Sequence, residues 1–276
     1  MDNILNEKLI ELPVKTASEG HAVVIMGSAG SGKNFSVDNF TDINNKFKHI
    51  DIDDIQYLVV KSDKLFNDFR KWLVQNYSEF DDYTEIELRH KGMFKDETFV
   101  EAMNSYIKHK DLGNRYLDVF LKANSKKDRL PNVALNGTFS DIENIKDKLT
   151  TLFQHGYTPE KTHLVWVFTT LEEALENNRK RLRTVSDEYL KSNYKAVFDN
   201  VYNNILGVSS NELLTQYMNG RFWIIINQKA NTKYHFNDNT IVKDFYYLPI
   251  KDGQKFYKHN VIEFTQWLLD NANRDE

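Results

Sequence analysis

The run Gly27-Ser28-Ala29-Gly30-Ser31-Gly32-Lys33 constrains this chain more than any other segment. It spells G-x-x-x-x-G-K, the pattern of a loop that wraps a phosphate chain. Small residues let the backbone curl, so that successive N–H groups point inward at the anion. Lys33 brings a full positive charge to the β/γ-phosphates, and the helix expected through about residue 40 turns its N-terminus to the same place. The preceding run, His21-Ala22-Val23-Val24-Ile25-Met26, is apolar and partly β-branched, as expected of the buried strand that must feed such a loop.

One position departs from the pattern. Asn34 stands where a Ser or Thr hydroxyl would ligate Mg²⁺. An amide oxygen also suits a hard cation, so Asn34 is a candidate metal ligand.

The 276 residues suit one α/β domain with additions, and the formal net charge of −4 argues against strong non-specific binding to nucleic acid. There is no cysteine, which rules out disulfides, thiolate metal sites and a cysteine nucleophile, and fits a cytoplasmic location. The N-terminal residues show no signal-peptide pattern, and no apolar run is long enough to span a membrane.

Strand and helix patterns alternate, which predicts an α/β fold with a mostly parallel sheet in a three-layer sandwich. Strands are expected over residues 22–26, 47–52, 131–135, 163–168 and 221–227, and helices over 140–155, 170–183 and 187–206. The polar helical stretch 55–130 is far longer than a simple crossover and reads as an insertion that shapes a substrate site. The expected division is an N-terminal segment over 1–20, a nucleotide-binding domain over 21–227, and a small C-terminal extension over 228–276. That extension contains Phe245-Tyr246-Tyr247 and an amphipathic helix near 261–269.

In open parallel sheets, ligands lie beyond the carboxyl ends of the strands. The second strand ends in Asp51, Asp53 and Asp54, and the third in Asn136-Gly137-Thr138. A carboxylate near a bound γ-phosphate can accept the proton of an incoming hydroxyl or hold Mg²⁺. Asp53 is the candidate base, with Asp51 on the metal side or structural. The other reading is that these acids cap the following helix. Arg179, Lys180, Arg181 and Arg183 crowd a helix end. Arg181 and Arg183 are the candidate lid arginines, because the planar guanidinium fork matches phosphoryl oxygens. A solvated basic helix terminus is the alternative. The basic run Lys108, Lys110, Lys122, Lys126, Lys127 and Arg129 reads first as solvated surface.

Taken in order, these pieces resemble a phage-type P-loop kinase related to zeta-toxin and polynucleotide-kinase-like proteins. The matching residues are Gly27–Lys33 with Phe35, Asp51-Ile52-Asp53, Asn132 to Thr138, His155-Gly156-Tyr157, and Ala174 to Arg183 with Val185. The resemblance covers about residues 20–205. It implies ATP or GTP as phosphoryl donor, Mg²⁺, and a hydroxyl acceptor. It places Lys33 on the phosphates, Asp53 as base, and Arg181 and Arg183 in a lid, and it adds Phe35 to the nucleotide-binding set. Two residues depart from the family pattern: Asn34 replaces Ser/Thr, and Asn136 stands where similar proteins carry Asp before Gly-Thr.

The expected activity is transfer of a γ-phosphoryl group to a hydroxyl of a nucleotide, nucleotide sugar or polynucleotide. One narrower alternative is a kinase of hydroxymethylated bases in bacteriophage DNA, acting in the host cytoplasm. Another, motivated by Asn34 and Asn136, is a nucleotide-binding protein without turnover. The expected partners are a nucleoside triphosphate and a hydroxyl-bearing small molecule or nucleic acid, with no membrane.

Overall fold

The apolar run before the glycine-rich loop becomes the middle of a sheet. In the computed structural model, β1 (Ala22–Met26) lies between β3 (Val133–Asn136) and β4 (Thr162–Phe168), parallel to both. The structure describes residues 17–33, 47–94, 96–125, 129–180, 185–203 and 216–227, together with the strand backbone over 234–237, 240–251 and 254–255.

The strand order is β2-β3-β1-β4-β5-β7-β6, with β8 (Gln254–Lys255) pairing to β7 off that path. β2 (Lys48–Asp51) and β5 (Arg221–Asn227) continue the parallel set on either side. β7 (Thr240–Lys251) runs antiparallel to β5, and β6 (Tyr234–Asn237) antiparallel to β7. The fold is therefore α/β with a mostly parallel sheet. From β1 the chain goes to one side for β2 and β3, then to the other for β4 and β5. That reversal creates a crevice at the carboxyl end of β1, where ligands bind in such sheets.

β1 and β4 are buried along their whole length, which is why they read as continuous apolar runs. Their alternate residues point to opposite faces. Val24, Met26, Leu164 and Trp166 join a large core with the helices. Val23, Ile25, Val165, Val167 and Ile225 form a second cluster with Phe47.

Five helices fill the interval between β2 and β3: α1 (Ile52–Lys61), α2 (Asp63–Asn76), α3 (Glu85–Phe94), α4 (Glu97–His109) and α5 (Leu112–Asn124). Their starts are written in short polar side chains. Ser62 ends α1 and caps α2, accepting from Leu65 N–H, and Asp96 caps α4, accepting from Phe99 N–H. The helices meet around Phe69, whose ring contacts those of Phe66, Trp72, Phe99 and Tyr106. α6 (Ile142–Gln154) follows β3, and α7 (Leu171–Arg179) and α8 (Asp187–Val201) lie between β4 and β5.

Several boundaries differ from the sequence expectation, each for a local reason. The second strand stops at Asp51, because the Asp51 carboxylate accepts from the N–H of Asp53 at 3.0 Å and starts α1 at Ile52. Asp53 and Asp54 thus sit in the first turn of a helix. The third strand begins at Val133 and extends to Asn136, which pairs alongside Ile25. α6 starts later than residue 140, because Asp141 is its cap.

Candidate functional site

Two chain reversals meet at the carboxyl edge of the central strands. The first is the glycine-rich loop after β1. Gly30 and Gly32 adopt φ of 79° and 78°, a region that L side chains rarely enter. Glycine is required there for space as well. A Cβ on Gly30 would lie 2.4 Å from the backbone oxygen of Ala174 in α7, and one on Gly32 would lie 2.4 Å from the side-chain nitrogen of Asn227. Gly27 is confined too, since its Cβ would lie 2.8 Å from the carbonyl oxygen of Val167.

The loop's carbonyls have named donors. Lys33 Nζ donates to Gly27 O at 2.8 Å and to Ser28 O at 3.0 Å. Asn177 of α7 donates to Gly30 O at 3.0 Å, and Asn227 at the end of β5 donates to Ser31 O at 2.7 Å. Ser31 is fully buried, and its hydroxyl has no hydrogen-bond partner among the described residues.

The second reversal follows β3. Gly137 N–H donates to Ile25 O at 3.2 Å, which ties this turn to β1. Phe139 adopts φ of 50° and is buried. Its carbonyl accepts from Asn200 of α8 at 2.9 Å. The Phe139 ring covers Gly137 so closely that a Cβ there would lie 3.0 Å from it.

Asp51 lies between the two reversals. Burial pushes its carboxyl above the ordinary carboxylate range, and the Asp53 charge pushes the same way. The Asp53 N–H, the Lys33 charge and the Asn136 amide pull it back down. Asn136 also meets His49 Nδ1 at 3.3 Å. The structure thus brings Lys33, Asp51 and Asn136 together at the end of β1, β2 and β3. Asp53 stands beside Asp51 but is exposed.

Among the expected site residues, Gly27, Ser28, Ala29, Gly30, Ser31, Gly32 and Lys33 form the loop, and Asp51 and Asp53 flank it. Asn34, Phe35, Arg181 and Arg183 lie outside the described residues, as does the expected helix over 261–269. Arg179, the first of the clustered arginines, forms an ion pair with Asp187 across those positions. Of the other basic run, Lys110 pairs with Asp68 and Lys122 with Asp118.

Asn177, Asn200 and Asn227 are contacts that pattern reading missed. Asn227 left one trace, a lone amide closing an apolar strand. Asn177 and Asn200 left none, because α7 and α8 are rich in asparagine.

No group of three or more His, Asp or Glu side chains able to hold a metal occurs among the described residues. The single carboxylate of Asp51 beside the loop matches the way Mg²⁺ is held, by one or two carboxylates together with phosphate oxygens and water. No helix among the described residues is long and apolar enough to cross a membrane.

No family model matches the chain, and no curated protein is significantly similar to it. Among solved structures, it is similar to a chain of the AvrRxo1-ORF1:AvrRxo1-ORF2 complex, with a TM-score of 0.52 and 10% identity over 94% of this chain and 65% of that one. The same complex with sulphate ions gives a TM-score of 0.51 at 10% identity, covering 94% and 66%. This chain therefore spans about two thirds of the length of those chains. A chain from the PezAT chromosomal toxin–antitoxin system of Streptococcus pneumoniae is 14% identical over 98% of this chain and 96% of that one, at a TM-score of 0.44. At such identities the likeness to the AvrRxo1 complex shows a shared fold.

Proposed function

We propose that this chain is a nucleotide-dependent kinase that transfers the γ-phosphoryl group of ATP or GTP to a hydroxyl. The observation that carries the reading is the loop itself: Gly30 and Gly32 in the left-handed region, at the strand-order reversal, with Lys33 within the electrostatic reach of Asp51. The order of sequence pieces that resembles zeta-toxin and polynucleotide-kinase-like enzymes supports it. The catalytic unit spans residues 21–227, with 55–130 as a helical insertion that borders the acceptor and 228–276 as an extension.

The chemistry follows from positions. The loop N–H groups and Lys33 bind the triphosphate and neutralise charge that develops on the γ-phosphoryl oxygens. The acceptor hydroxyl gives its proton to the Asp53 carboxylate, and its oxygen bonds to the γ-phosphorus. The bond from that phosphorus to the β–γ bridging oxygen breaks, and the nucleoside diphosphate departs with the electron pair. Asp53 is exposed in the first turn of α1, whereas the Asp51 carboxyl is more buried and takes a hydrogen bond from Asn136. Mg²⁺, when bound, supplies charge neutralisation at the β/γ-phosphates, and Asp51 and Asn34 would hold it. Arg181 and Arg183 are the lid arginines of this reading and would stabilise charge on the transferring group. The acceptor is a nucleotide, a nucleotide sugar or a polynucleotide; hydroxymethylated phage DNA is the narrower case.

One observation favours a second reading, nucleotide binding without turnover. An amide, Asn136, lies beside Asp51, where the family resemblance implies a second carboxylate.

Transfer of labelled γ-phosphate from ATP and GTP with Mg²⁺ tests the proposal. Nucleotide sugars, DNA and RNA oligomers and hydroxymethylated DNA serve as acceptors. The expected result is label on one acceptor class, lost in Lys33→Ala and Asp53→Asn. Nucleotide binding with no movement of label would overturn it in favour of the second reading.

A further inference from the structure

A loop that presents its N–H groups to an anion must turn its carbonyls away, and buried carbonyls need donors of their own. Four carbonyls of this loop have them, in two distinct ways. Those of Gly27 and Ser28 accept from Lys33 Nζ, and that of Ser28 accepts also from Ser31 N–H at 3.2 Å. Those of Gly30 and Ser31 are held by the amides of Asn177 and Asn227, from two elements remote in sequence. The carbonyl acceptors fix the orientation of both amides, since only their nitrogens can donate.

The two pairs respond differently to a ligand. Lys33 is the group that must leave its carbonyls to meet a polyphosphate. Asn177 and Asn227 have no such task and stay. Both grips are close: Gly30 abuts the Ala174 carbonyl oxygen of the Asn177 helix, and Gly32 abuts the Asn227 amide. Asn227 is buried, whereas Asn177 is half-buried.

We infer that Asn177 and Asn227 are positioning residues that hold the loop carbonyls outward, so that the loop keeps its affinity for polyphosphate once Lys33 has moved to the ligand. This rests on the reading of the loop as a nucleoside triphosphate site. Without Asn177 the Gly30–Ser31 peptide keeps only the bond from Ser31 N–H to Ser28 O at 3.2 Å, and without Asn227 the Ser31 carbonyl loses its amide donor. A carbonyl turned inward sets oxygen against phosphate oxygen.

The test is equilibrium binding of tripolyphosphate and, separately, of adenosine, to the full chain and to Asn227→Ala, Asn227→Asp and Asn177→Ala. Tripolyphosphate affinity should fall about tenfold in Asn227→Ala, the scale of one lost buried hydrogen bond. It should fall further in Asn227→Asp, which sets a carboxylate against the Ser31 carbonyl, and less in Asn177→Ala, where water can replace the amide. Adenosine affinity should stay within about twofold, because the base and sugar do not read the loop carbonyls. Asn177→Ala, at the more exposed site, remains informative if the Asn227 variants do not fold.

Unchanged tripolyphosphate affinity in the folded variants would overturn the inference. So would an equal loss for both ligands, which marks general collapse of the site. If the unaltered chain binds no tripolyphosphate, the inference and the kinase reading fail together. If it binds, and the variants lose binding, but no acceptor is ever labelled, the inference stands and the kinase reading falls.

Discussion

The reversals after β1 and after β3 leave paired strands at the same edge, and both take a remote asparagine on a carbonyl, yet they reach positive φ with different residues. The loop after β1 uses glycine wherever φ is positive, at Gly30 and Gly32. The turn after β3 puts a phenylalanine there, Phe139 at φ 50°. For a bulky residue this conformation costs of order 1–3 kcal/mol and persists only where surroundings over-determine it. Those surroundings are visible: the Asn200 amide on its carbonyl, and the ring seated over Gly137. The loop after β1 takes its positive φ from glycine, and remote amides hold its carbonyls. The turn after β3 is imposed by α8 and stores strain.

The contrast breaks first at the glycines. Gly30→Ala forces a side chain into φ of 79° and against a backbone oxygen that cannot swing away. The combined strain and clash should destabilise the fold by about 3 kcal/mol in urea unfolding. ATP-analogue affinity should drop at least about 100-fold, since the loop cannot keep its inward N–H groups. Equal affinity in the variant would mean that the loop bends without the help of glycine.

Asn200→Ala sharpens the other half of the comparison. It removes a buried donor from a strained carbonyl, at a cost of about 1–3 kcal/mol. The informative measurement is the double-mutant cycle with Phe139→Gly. Glycine takes positive φ unaided, so removing Asn200 should cost less in that background than in the natural one. Additive losses would show that Asn200 supports α8 packing and does not hold the turn.

The same contrast explains what could be read from the chain. The strands at 22–26 and 221–227 match the expected limits, because a buried parallel strand is a continuous apolar run with abrupt polar ends. The loop was legible because its conformation demands glycine. Helix starts were less so: Asp51 reads first as a metal-side or structural acid and only second as a cap, and the folded geometry shows it accepting from Asp53 N–H. Three contacts were illegible. Asn200 lies 61 residues from Phe139, Asn177 lies 147 from Gly30, and Asn227 lies 196 from Ser31. Nothing in an asparagine-rich sequence distinguishes those amides from solvated ones. Nor does a sequence announce a phenylalanine at positive φ, since strain of this kind is imposed by tertiary contacts.

The smallest expected effect concerns Asp51, the residue shared by both reversals. Its carboxyl lies above the ordinary value of 3.8, chiefly through burial, so the folded chain binds that proton more tightly than the unfolded one. A group of this kind favours folding below the unfolded pKa, and the benefit is lost as pH rises through the folded value. Asp51→Asn keeps a good helix cap and cannot ionise. The variant should therefore be at least as stable as the natural chain at neutral pH, with the relative gain disappearing below 3.8. Lys33 pulls the Asp51 carboxyl down, so the gain at neutral pH should grow in a Lys33→Ala background. Urea unfolding of the four chains at both ends of that pH range decides the matter. A loss of stability at neutral pH, abolished by Lys33→Ala, would mean that attraction to Lys33 outweighs burial. Asp51 would then belong energetically to the loop after β1, and the turn after β3 would reach it only through Asn136.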